Sequence, residues 1–329
     1  MKVIIPVAGA GTRLRPHTYT QPKPLIPVAG KPIIAFIIEK LVAVGIRDFV
    51  FVIGYLGEKI RDYIEETYPD INKTFVFQEH REGLGHAIWT ARAEIAAEKE
   101  LLIVLGDIIF DAPLKALLAE PHSCLCVKKV PDPHIVGVVE LEEGRIKRLV
   151  EKPSIPFSNL AIVGIYKINT VQLLIQCLER NITEGKKTHG EYQLTDGLMA
   201  MIEQGEIFTT LPVTSWYDCG KKDILLETNR ILLDENYAYQ DLPVYNNTII
   251  VHPVCIGAGC DISNSIIGPH VTIGANTKID YSIVKDSIIG NYASLQEVVL
   301  HQSIVGSDTS ITGPQQSLNI GDNTEIDFR

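Results

Sequence analysis

From residue 248 to residue 329 the sequence repeats a six-residue pattern, and this pattern constrains the fold more than any other feature. An aliphatic residue followed by glycine recurs at Ile256, Ile267, Ile273, Ile289, Val305 and Ile320. Most of these pairs are followed six positions later by a further aliphatic residue, at Ile262, Ile279, Leu295, Ile311 and Ile326. One such repeat cannot bury its apolar face alone, whereas stacked coils of short strands bury a continuous core and turn at small residues. The period therefore predicts a short parallel β-helix over 248–329.

Residues 1–236 differ, because continuous apolar runs alternate there with helical patterns. The predicted strands are 3–7, 48–54, 74–78 and 101–106, and the predicted helices between them are 32–44, 58–68 and 85–98. Continuously apolar strands that alternate with helices are typical of a parallel sheet covered on both faces. We predict a doubly wound α/β domain, joined to the repeats by a polar and aromatic linker at 237–247.

The segment 123–167 is richer in strands, with a hairpin turn predicted at Glu143-Gly144. Helical patterns return after it, at 170–180, 194–204 and 222–235. In a doubly wound sheet, ligands bind outside the carboxyl ends of the strands. Gln78 ends a predicted strand, and Gly9–Arg13 and Asp107 lie just beyond the ends of two others, so we expect all of them to face one crevice.

The first 38 residues contain no acidic residue, although the whole chain carries a formal charge of −10. The lysine and arginine residues within these first 38 positions are Lys2, Arg13, Arg15, Lys23 and Lys31. A basic, glycine-containing loop after a strand is typical of an anion site, and phosphate is the leading candidate.

Composition argues against several classes of function. A negative net charge argues against nonspecific nucleic-acid binding. No apolar stretch reaches the roughly 18 residues that span a bilayer, so no membrane partner is expected. Pro6 and the glycines interrupt the first apolar run, which does not fit a secretory signal peptide. The six cysteines lack metal-site spacing, and we expect reduced thiols in a cytoplasmic protein.

An ordered set of motifs resembles the signature of sugar-1-phosphate nucleotidyltransferases. These motifs are GAGTRLRP at 9–16, PKPL at 22–25, Gln78 with GLG at 83–85, Gly106-Asp107, GVVE at 137–140, EKP at 151–153, Ser158-Asn159, Gly190-Glu191 and WYDCG at 216–220. With the repeats, the resemblance covers nearly the whole chain and is greatest to the long thymidylyltransferases of the family, which act on glucose 1-phosphate. It implies a Rossmann-like doubly wound nucleotidyltransferase domain followed by a left-handed parallel β-helix. It also implies Mg²⁺-dependent transfer of a nucleotidyl group from dTTP to glucose 1-phosphate, giving dTDP-glucose and pyrophosphate.

The nucleotide half of the implied site combines cations with carboxylates. The guanidinium group of Arg13 can donate two parallel hydrogen bonds to oxygens of the leaving pyrophosphate, and the resemblance implies that Lys23 contacts the nucleotide phosphates. It also implies that Asp107 and Asp218 hold Mg²⁺, an ion that suits few carboxylates with substrate oxygens and water. The amide of Gln78 can donate and accept at once, which matches N3–H and C4=O of thymine or uracil. The implied nucleotide-binding residues are Ala8, Gly9, Ala10, Gly11, Thr12, Arg13, Lys23, Gln78, Gly83 and Asp107.

In the half of the site that would bind the sugar phosphate, the resemblance implies that Lys152 pairs with the attacking phosphate. It also implies that Glu151 accepts hydrogen bonds from the sugar hydroxyls. Gly137, Asn159 and Glu191 complete the implied sugar pocket. The expected catalytic residues of the whole site are Arg13, Lys23, Asp107, Lys152 and Asp218. Cys219 departs from the Thr or Ser common at this position of the family, directly after the second expected metal ligand.

Several alternatives stay open at the level of sequence. The segment GLGHA at 83–87 also resembles uridylyltransferases, so UTP is an alternative nucleotide, and an N-acetylhexosamine or mannose 1-phosphate an alternative sugar. A catalytically idle regulatory homologue is a second reading, against which the intact basic loop and both aspartates argue. An acyltransferase that uses His301 as a general base is a third. The flat faces of the repeats predict homo-oligomers.

Overall fold

The computed structural model describes residues 1–237 and 240–313. The chain divides into two compact units, of which the first is Met1–Thr228 and the second begins at Asn229. This division lies inside the last helix, Lys222–Asn236. Ile320 and Ile326 of the predicted repeats lie outside the described residues.

The first unit is built on a nine-stranded mixed sheet. Its strands, with those of two small two-stranded sheets, are β1 Lys2–Pro6, β2 Pro27–Val28, β3 Lys31–Pro32, β4 Asp48–Ile53, β5 Asn72–Phe77, β6 Leu101–Val104, β7 Ile108–Asp111, β8 Ser123–Lys129, β9 Val138–Glu142, β10 Arg145–Val150, β11 Leu160–Ile168, β12 Phe208–Pro212 and β13 Ser215–Asp218. Strands β6, β1, β4 and β5 lie side by side in parallel, as the alternation of strands and helices predicts. Strand β11 joins β6 antiparallel, and the predicted hairpin at Glu143-Gly144 is confirmed between β9 and β10. The half of the sheet built from the first hundred or so residues is therefore all parallel, and the rest is mixed: β11 is antiparallel to β6, β8 and β9, while β12 pairs with β8 in parallel.

The α-helices of the described chain follow the predicted pattern, except for the short helix Leu114–Ala119, which the sequence analysis does not predict. They are α1 Ile33–Ala43, α2 Gly57–Thr67, α3 Leu84–Thr90, α4 Arg92–Ile95, α5 Leu114–Ala119, α6 Val171–Thr183, α7 Leu194–Glu203 and α8 Lys222–Asn236. The helix predicted over 85–98 is divided into α3 and α4 at Ala91.

Strand β4 shows that the central sheet is buried on both faces. Val50 and Val52 belong to the core cluster that also contains residues of α3, α6 and α7. Successive strand residues point to opposite faces, and Phe49 and Phe51 stack with ring centroids 5.8 Å apart on the other side. All four side chains are at most 1% exposed, as expected for the doubly wound, Rossmann-like architecture.

The second unit contains a left-handed parallel β-helix made of three parallel four-stranded sheets. Its strands are β14 Ile249–Ile250, β15 Val254–Ile256, β16 Asp261–Ser263, β17 Ile266–Ile267, β18 Val271–Ile273, β19 Lys278–Asp280, β20 Ile283–Lys285, β21 Ile288–Ile289, β22 Ser294–Gln296, β23 Val299–His301, β24 Ile304–Val305 and β25 Ser310–Thr312. Ile266 aligns with Ile283, and Ile283 with Val299, so each coil is shorter than three full six-residue repeats. Residues with positive φ, such as Asn264 and Asn276, turn the tight corners.

Within the described residues, the repeated aliphatic residues form the core of the β-helix or pack against it, as the period predicts. Ile256 and Ile273 are among its buried residues. The segment predicted as a linker packs on this core through Leu242 and Tyr245, and Oε1 of Gln240 accepts a hydrogen bond from the backbone N–H of Ile256 at 3.2 Å. No helix in the part of the chain described here is long and apolar enough to cross a membrane.

Candidate functional site

A tight turn at Gly11 shapes the basic loop that follows β1. Gly11 has a φ of 60°, and a Cβ there would lie 3.0 Å from Cγ2 of Thr18 and 3.1 Å from Cβ of Lys23. The hydroxyl of Thr18 donates a hydrogen bond to the carbonyl oxygen of Gly11 at 2.9 Å. Glycine combines a positive φ with so close an approach at little cost. The glycine therefore lets the loop fold back and bring Lys23 to the carboxyl end of the sheet.

Lys23 links two carboxylates that are far apart in the sequence. Its Nζ lies 2.5 Å from Oδ2 of Asp107 and 3.2 Å from Oδ1 of Asp218. The antiparallel pairing of β13 with β7 sets Asp218 opposite Ile108, beside Asp107. Burial by itself lowers the pKa of Lys23, but the charges of both aspartates together outweigh it and raise that pKa above its usual value. Lys23 therefore stays an ammonium ion although it is only 6% exposed.

Arg13 approaches the same carboxylates from the solvent side. Its Nη2 lies 3.4 Å from Oδ2 of Asp218, and its side chain is 56% exposed. Gly220 makes room for it, because a Cβ there would lie 2.5 Å from Nη2 of Arg13 and 2.9 Å from Oδ1 of Asp218. An exposed guanidinium held this loosely is free to turn toward a phosphate.

The two carboxylates fit a divalent cation. Asp107 and Asp218 already converge on one positive charge, the ammonium group of Lys23. Within 1–237 and 240–313, no group of three or more His, Cys, Asp or Glu side chains is placed to hold a metal ion. Mg²⁺ is commonly bound by one or two carboxylates, with substrate phosphates and water as further ligands. This donor set suits Mg²⁺ shared with a phosphate better than a metal held by protein alone.

A first cavity of ≈ 400 Å³ is lined by the basic loop, the end of β1 and the start of α3. The predicted nucleotide-binding residues in its walls are Ala8, Gly9, Gly11, Thr12, Arg13, Lys23, Gln78, Gly83 and Asp107. Ala10 is not among its lining residues, whereas Glu191, predicted for the sugar, lines this cavity. A Cβ on Gly9 would meet nothing within 4 Å, so the backbone is open to a ligand there.

Gln78 follows β5 and is 4% exposed. Its Nε2 donates to the carbonyl oxygen of Gly83 at 3.3 Å and lies 3.0 Å from Nδ1 of His86. Both amide hydrogens are therefore used inside the protein. In this conformation only the acceptor Oε1 is left for a base, rather than the donor and acceptor that the sequence suggests.

A second cavity of ≈ 610 Å³ shares part of its wall with the first. The shared residues are Arg13, Leu84, Leu105 and Asp107. Gly137, Glu151 and Lys152 of the predicted sugar pocket line it. Asn159 is exposed and is not among its lining residues; its carbonyl oxygen accepts a hydrogen bond from the backbone N–H of Val130 at 2.9 Å.

Glu151 and Lys152 form a charged pair in the wall of the second cavity. Oε1 of Glu151 lies 3.5 Å from Nζ of Lys152, and Oε2 accepts a hydrogen bond from the hydroxyl of Thr195 at 3.4 Å. Burial raises the pKa of Glu151 above its usual value, although Lys152 and Thr195 pull it down. Lys152 has a φ of 41°, a backbone conformation that costs energy for a residue with a side chain.

The structure adds residues to the second cavity that the sequence analysis did not single out. They include Tyr166, Thr195, Trp216 and Lys221, to which no role in the site was assigned. Nε1 of Trp216 is buried and finds no hydrogen-bond partner among the described residues. Trp216 and Lys221 are close to Asp218 in the sequence, and this proximity is a signal from which both could have been predicted as site residues. Tyr166 in β11 and Thr195 in α7 belong to two further motifs of the resemblance, VGIY at 163–166 and LTD at 194–196, which carry no assigned role in the site.

Cys219 lies behind the carboxylates. Its Sγ is 3.9 Å from Oγ1 of Thr228, and burial raises the pKa of its thiol to about 12. Its backbone N–H donates to the carbonyl oxygen of Asp107 at 3.2 Å, so its backbone ties the two aspartate segments together. All six cysteines are free thiols, as predicted.

Known proteins match the chain over most of its length. Residues 2–235 match the family model described as nucleotidyl transferase. Glucose-1-phosphate thymidylyltransferase of Streptomyces griseus is 29% identical over 95% of this chain and 94% of its own length. Bifunctional protein GlmU of Methanococcus vannielii is 32% identical over 98% of this chain and 80% of its own length. A crystal structure of UDP-glucose pyrophosphorylase complexed with UDP-glucose has a TM-score of 0.63 at 26% identity, over 71% of this chain and 99% of that protein.

Proposed function

The chain belongs to the nucleotidyl transferase family, among its sugar-1-phosphate nucleotidyltransferases, and from this premise we propose that it makes dTDP-glucose from dTTP and glucose 1-phosphate. The single observation that supports this most is the contact of Lys23 with both Asp107 and Asp218. Asp107 lines both cavities, so the charged centre lies where two anionic substrates would meet.

The first cavity takes the triphosphate and the second takes the sugar phosphate. Arg13 and Lys23 neutralise the phosphates of dTTP, and the open backbone at Gly9 lets them approach. Lys152 meets the phosphate of the sugar, and the partly buried carboxylate of Glu151 accepts hydrogen bonds from the sugar hydroxyls. Holding both anions in fixed positions supplies much of the rate increase in phosphoryl-group transfer.

In the transfer step, an oxygen of glucose 1-phosphate attacks the α-phosphorus of dTTP in line. A P–O bond forms to that oxygen, the bond from the α-phosphorus to its leaving oxygen breaks, and pyrophosphate departs with the electron pair. Arg13 and Lys23 stabilise the charge that grows on the leaving pyrophosphate. Mg²⁺ held by Asp107 and Asp218 would supply charge neutralisation and Lewis acidity at the phosphates.

This assignment is tested by pyrophosphate release from dTTP and glucose 1-phosphate. Asp107→Asn and Asp218→Asn keep the shape of each side chain but remove its charge, and each should lower turnover about 100-fold or more. Asp111→Asn, at the exposed end of β7, is the matched control and should leave turnover unchanged. Full activity in Asp107→Asn would overturn the mechanism, and an idle regulatory homologue would release no pyrophosphate even in the wild type.

A UTP-dependent enzyme is the second candidate, because the structural neighbour with a TM-score of 0.63 is a UDP-glucose pyrophosphorylase. The bifunctional GlmU relative supports an N-acetylhexosamine 1-phosphate as an alternative sugar. Turnover of dTTP and UTP, each against glucose, N-acetylglucosamine and mannose 1-phosphates, separates these choices. We expect dTTP with glucose 1-phosphate to give the highest kcat/KM.

The free thiols favour a reducing compartment, and we place the enzyme in the cytoplasm.

The outward face of sheet β14-β17-β20-β23 supports assembly with a second copy of the chain. Ile249, Ile266, Ile283 and Val299 are aligned in register there and are 60%, 37%, 43% and 75% exposed. A contiguous exposed apolar patch rimmed by polar residues marks an interaction site, and one uniform stripe matches itself across a two-fold axis. The wild type should scatter light as an oligomer and Ile283→Asp as a monomer. A monomeric wild type would contradict this proposal.

A further inference from the structure

The side-chain amide of Gln78 is held in one orientation by two neighbours. Its Nε2 donates to the carbonyl oxygen of Gly83 at 3.3 Å and lies 3.0 Å from Nδ1 of His86. A carbonyl oxygen can only accept, so the amide nitrogen, not the oxygen, must face Gly83. Oε1 is then the polar atom of Gln78 that is left for a ligand in the first cavity, whose wall includes this residue.

His86 supports this orientation in only one protonation state. Because the amide of Gln78 donates, Nδ1 of His86 must accept, so the ring proton sits on Nε2 and the imidazole is neutral. Nε2 is the ring nitrogen nearest Glu82, whose Oε2 lies 3.8 Å away.

The surroundings of the ring keep His86 neutral near pH 7. The titratable, charged and aromatic groups that face it are Glu82, His80, Lys187, Tyr192 and Trp89. Burial has the largest effect and lowers the pKa of His86 below 6.5, and His80 and Lys187 add to it while Glu82 opposes it. Nζ of Lys187 lies 3.1 Å from Oε1 of Glu82, which draws part of that carboxylate charge away from the ring.

We propose that His86 is a positioning residue for base selection, which fixes the amide of Gln78 so that an acceptor oxygen meets the base. This inference rests on the proposed function, in which the first cavity binds the nucleoside triphosphate. Thymine and uracil present an N3–H donor, which Oε1 of Gln78 accepts. Cytosine in the same pose presents an unprotonated N3, so two acceptors would face each other in a buried site. The amide therefore selects against cytosine by repulsion as well as for thymine or uracil by attraction.

Protonation of His86 would undo this arrangement. An imidazolium ion carries a hydrogen on Nδ1, which would face the N–H of the Gln78 amide. The hydrogen bond breaks, or the amide turns over and points its nitrogen at the base, which suits cytosine. Discrimination between uracil or thymine and cytosine is therefore complete at neutral pH. It is lost as the pH falls through the pKa of His86, which lies below 6.5.

The test compares kcat/KM for UTP, dTTP and CTP, with glucose 1-phosphate saturating, between about pH 5.5 and 8. His86→Leu removes the acceptor, and the preference for UTP over CTP should fall about tenfold, mainly through KM. His86→Asn keeps an acceptor oxygen near the place of Nδ1 and does not titrate in this range. It should retain the preference and lose its pH dependence. His122→Leu, at an exposed histidine that does not line the first cavity and does not affect the pKa of His86, is the matched control and should behave as the wild type.

Two failures can be told apart. If the wild type turns over neither UTP nor dTTP, the proposed function is overturned and this inference with it. If the wild type is active but His86→Leu keeps the full preference at every pH, only the role of His86 is overturned. Circular dichroism of each variant shows whether it is folded, and a pH-independent preference in His86→Asn supports the inference even if His86→Leu does not fold.

Discussion

Lys23 and Asp107 are 84 positions apart in the sequence, yet Nζ of Lys23 lies 2.5 Å from Oδ2 of Asp107. Asp218 lies 3.2 Å from the same nitrogen. Removing one partner of a buried ion pair is far more destabilising than the net contribution of the intact pair, because the remaining charges lose their compensation. The stability of the first unit and the charge balance of the candidate site therefore depend on the same atoms.

We expect Lys23→Met to lower both activity and stability. Pyrophosphate release should fall about 100-fold or more. The free energy of unfolding should fall by about 2 kcal/mol, since Asp107 and Asp218 then face each other without a cation but keep some contact with water. Mg²⁺ should raise the Tm of this variant more than that of the wild type. Lys31→Met is the control, because its partner Glu39 lies at the exposed surface. An unchanged Tm in Lys23→Met would contradict the dependence of both stability and activity on this ion pair.

Substitution by alanine should have different effects at two glycines of the first cavity. A Cβ on Gly9 meets nothing within 4 Å, so Gly9→Ala should keep the wild-type Tm and raise KM for the triphosphate about tenfold. Gly83 has a φ of 115°, and a Cβ there would lie 2.6 Å from the carbonyl oxygen of Tyr192. Gly83→Ala should therefore lower stability by about 1–3 kcal/mol. Thermal unfolding and initial rates measure both effects, and equal Tm losses would refute the distinction.

The features predicted well from the sequence are those that the local pattern encodes. The aliphatic period sets which side of each coil is buried, so it predicts Ile256 and Ile273 in the core, where both lie. The carboxyl ends of parallel strands share one edge, which is why the order of elements brought Gln78 and Asp107 to one cavity.

Features set by contacts distant in sequence were predicted less well. Glu191 lines the first cavity rather than the second, because the backbone N–H of Tyr192 donates to the carbonyl oxygen of Glu82 and holds this segment beside α3. Nothing near Gln78 in the sequence shows that His86 uses one of its amide hydrogens.

Glu151→Gln should stabilise the protein at neutral pH while impairing its use of the sugar phosphate. Burial raises the pKa of Glu151, so the folded state holds this proton more tightly than the unfolded state. The charged form therefore opposes folding above that pKa, and the penalty disappears as the pH falls through it. The Tm of the variant should exceed that of the wild type at pH 7, and the difference should shrink toward pH 4.

The same variant should raise KM for glucose 1-phosphate, because an amide is a weaker acceptor for sugar hydroxyls than a carboxylate. Glu142→Gln is the control: its partner Lys147 and the carboxylate itself are exposed, so neither Tm nor KM should change in this way. A Tm difference independent of pH would show that burial does not perturb Glu151.

Lys152→Gly should separate the backbone strain at this residue from its charge. The φ of 41° favours glycine over any residue with a Cβ, so Lys152→Gly should be about 1 kcal/mol more stable than Lys152→Ala. Both variants should lose sugar-phosphate turnover equally, because both lack the ammonium group. Lys147 in β10 provides the matched pair, where alanine should be the more stable residue. Chemical denaturation of the four variants measures the two differences. A higher stability of Lys152→Ala would mean that the strain is relieved elsewhere, and the positive φ would then have no bearing on how Lys152 is presented to a phosphate.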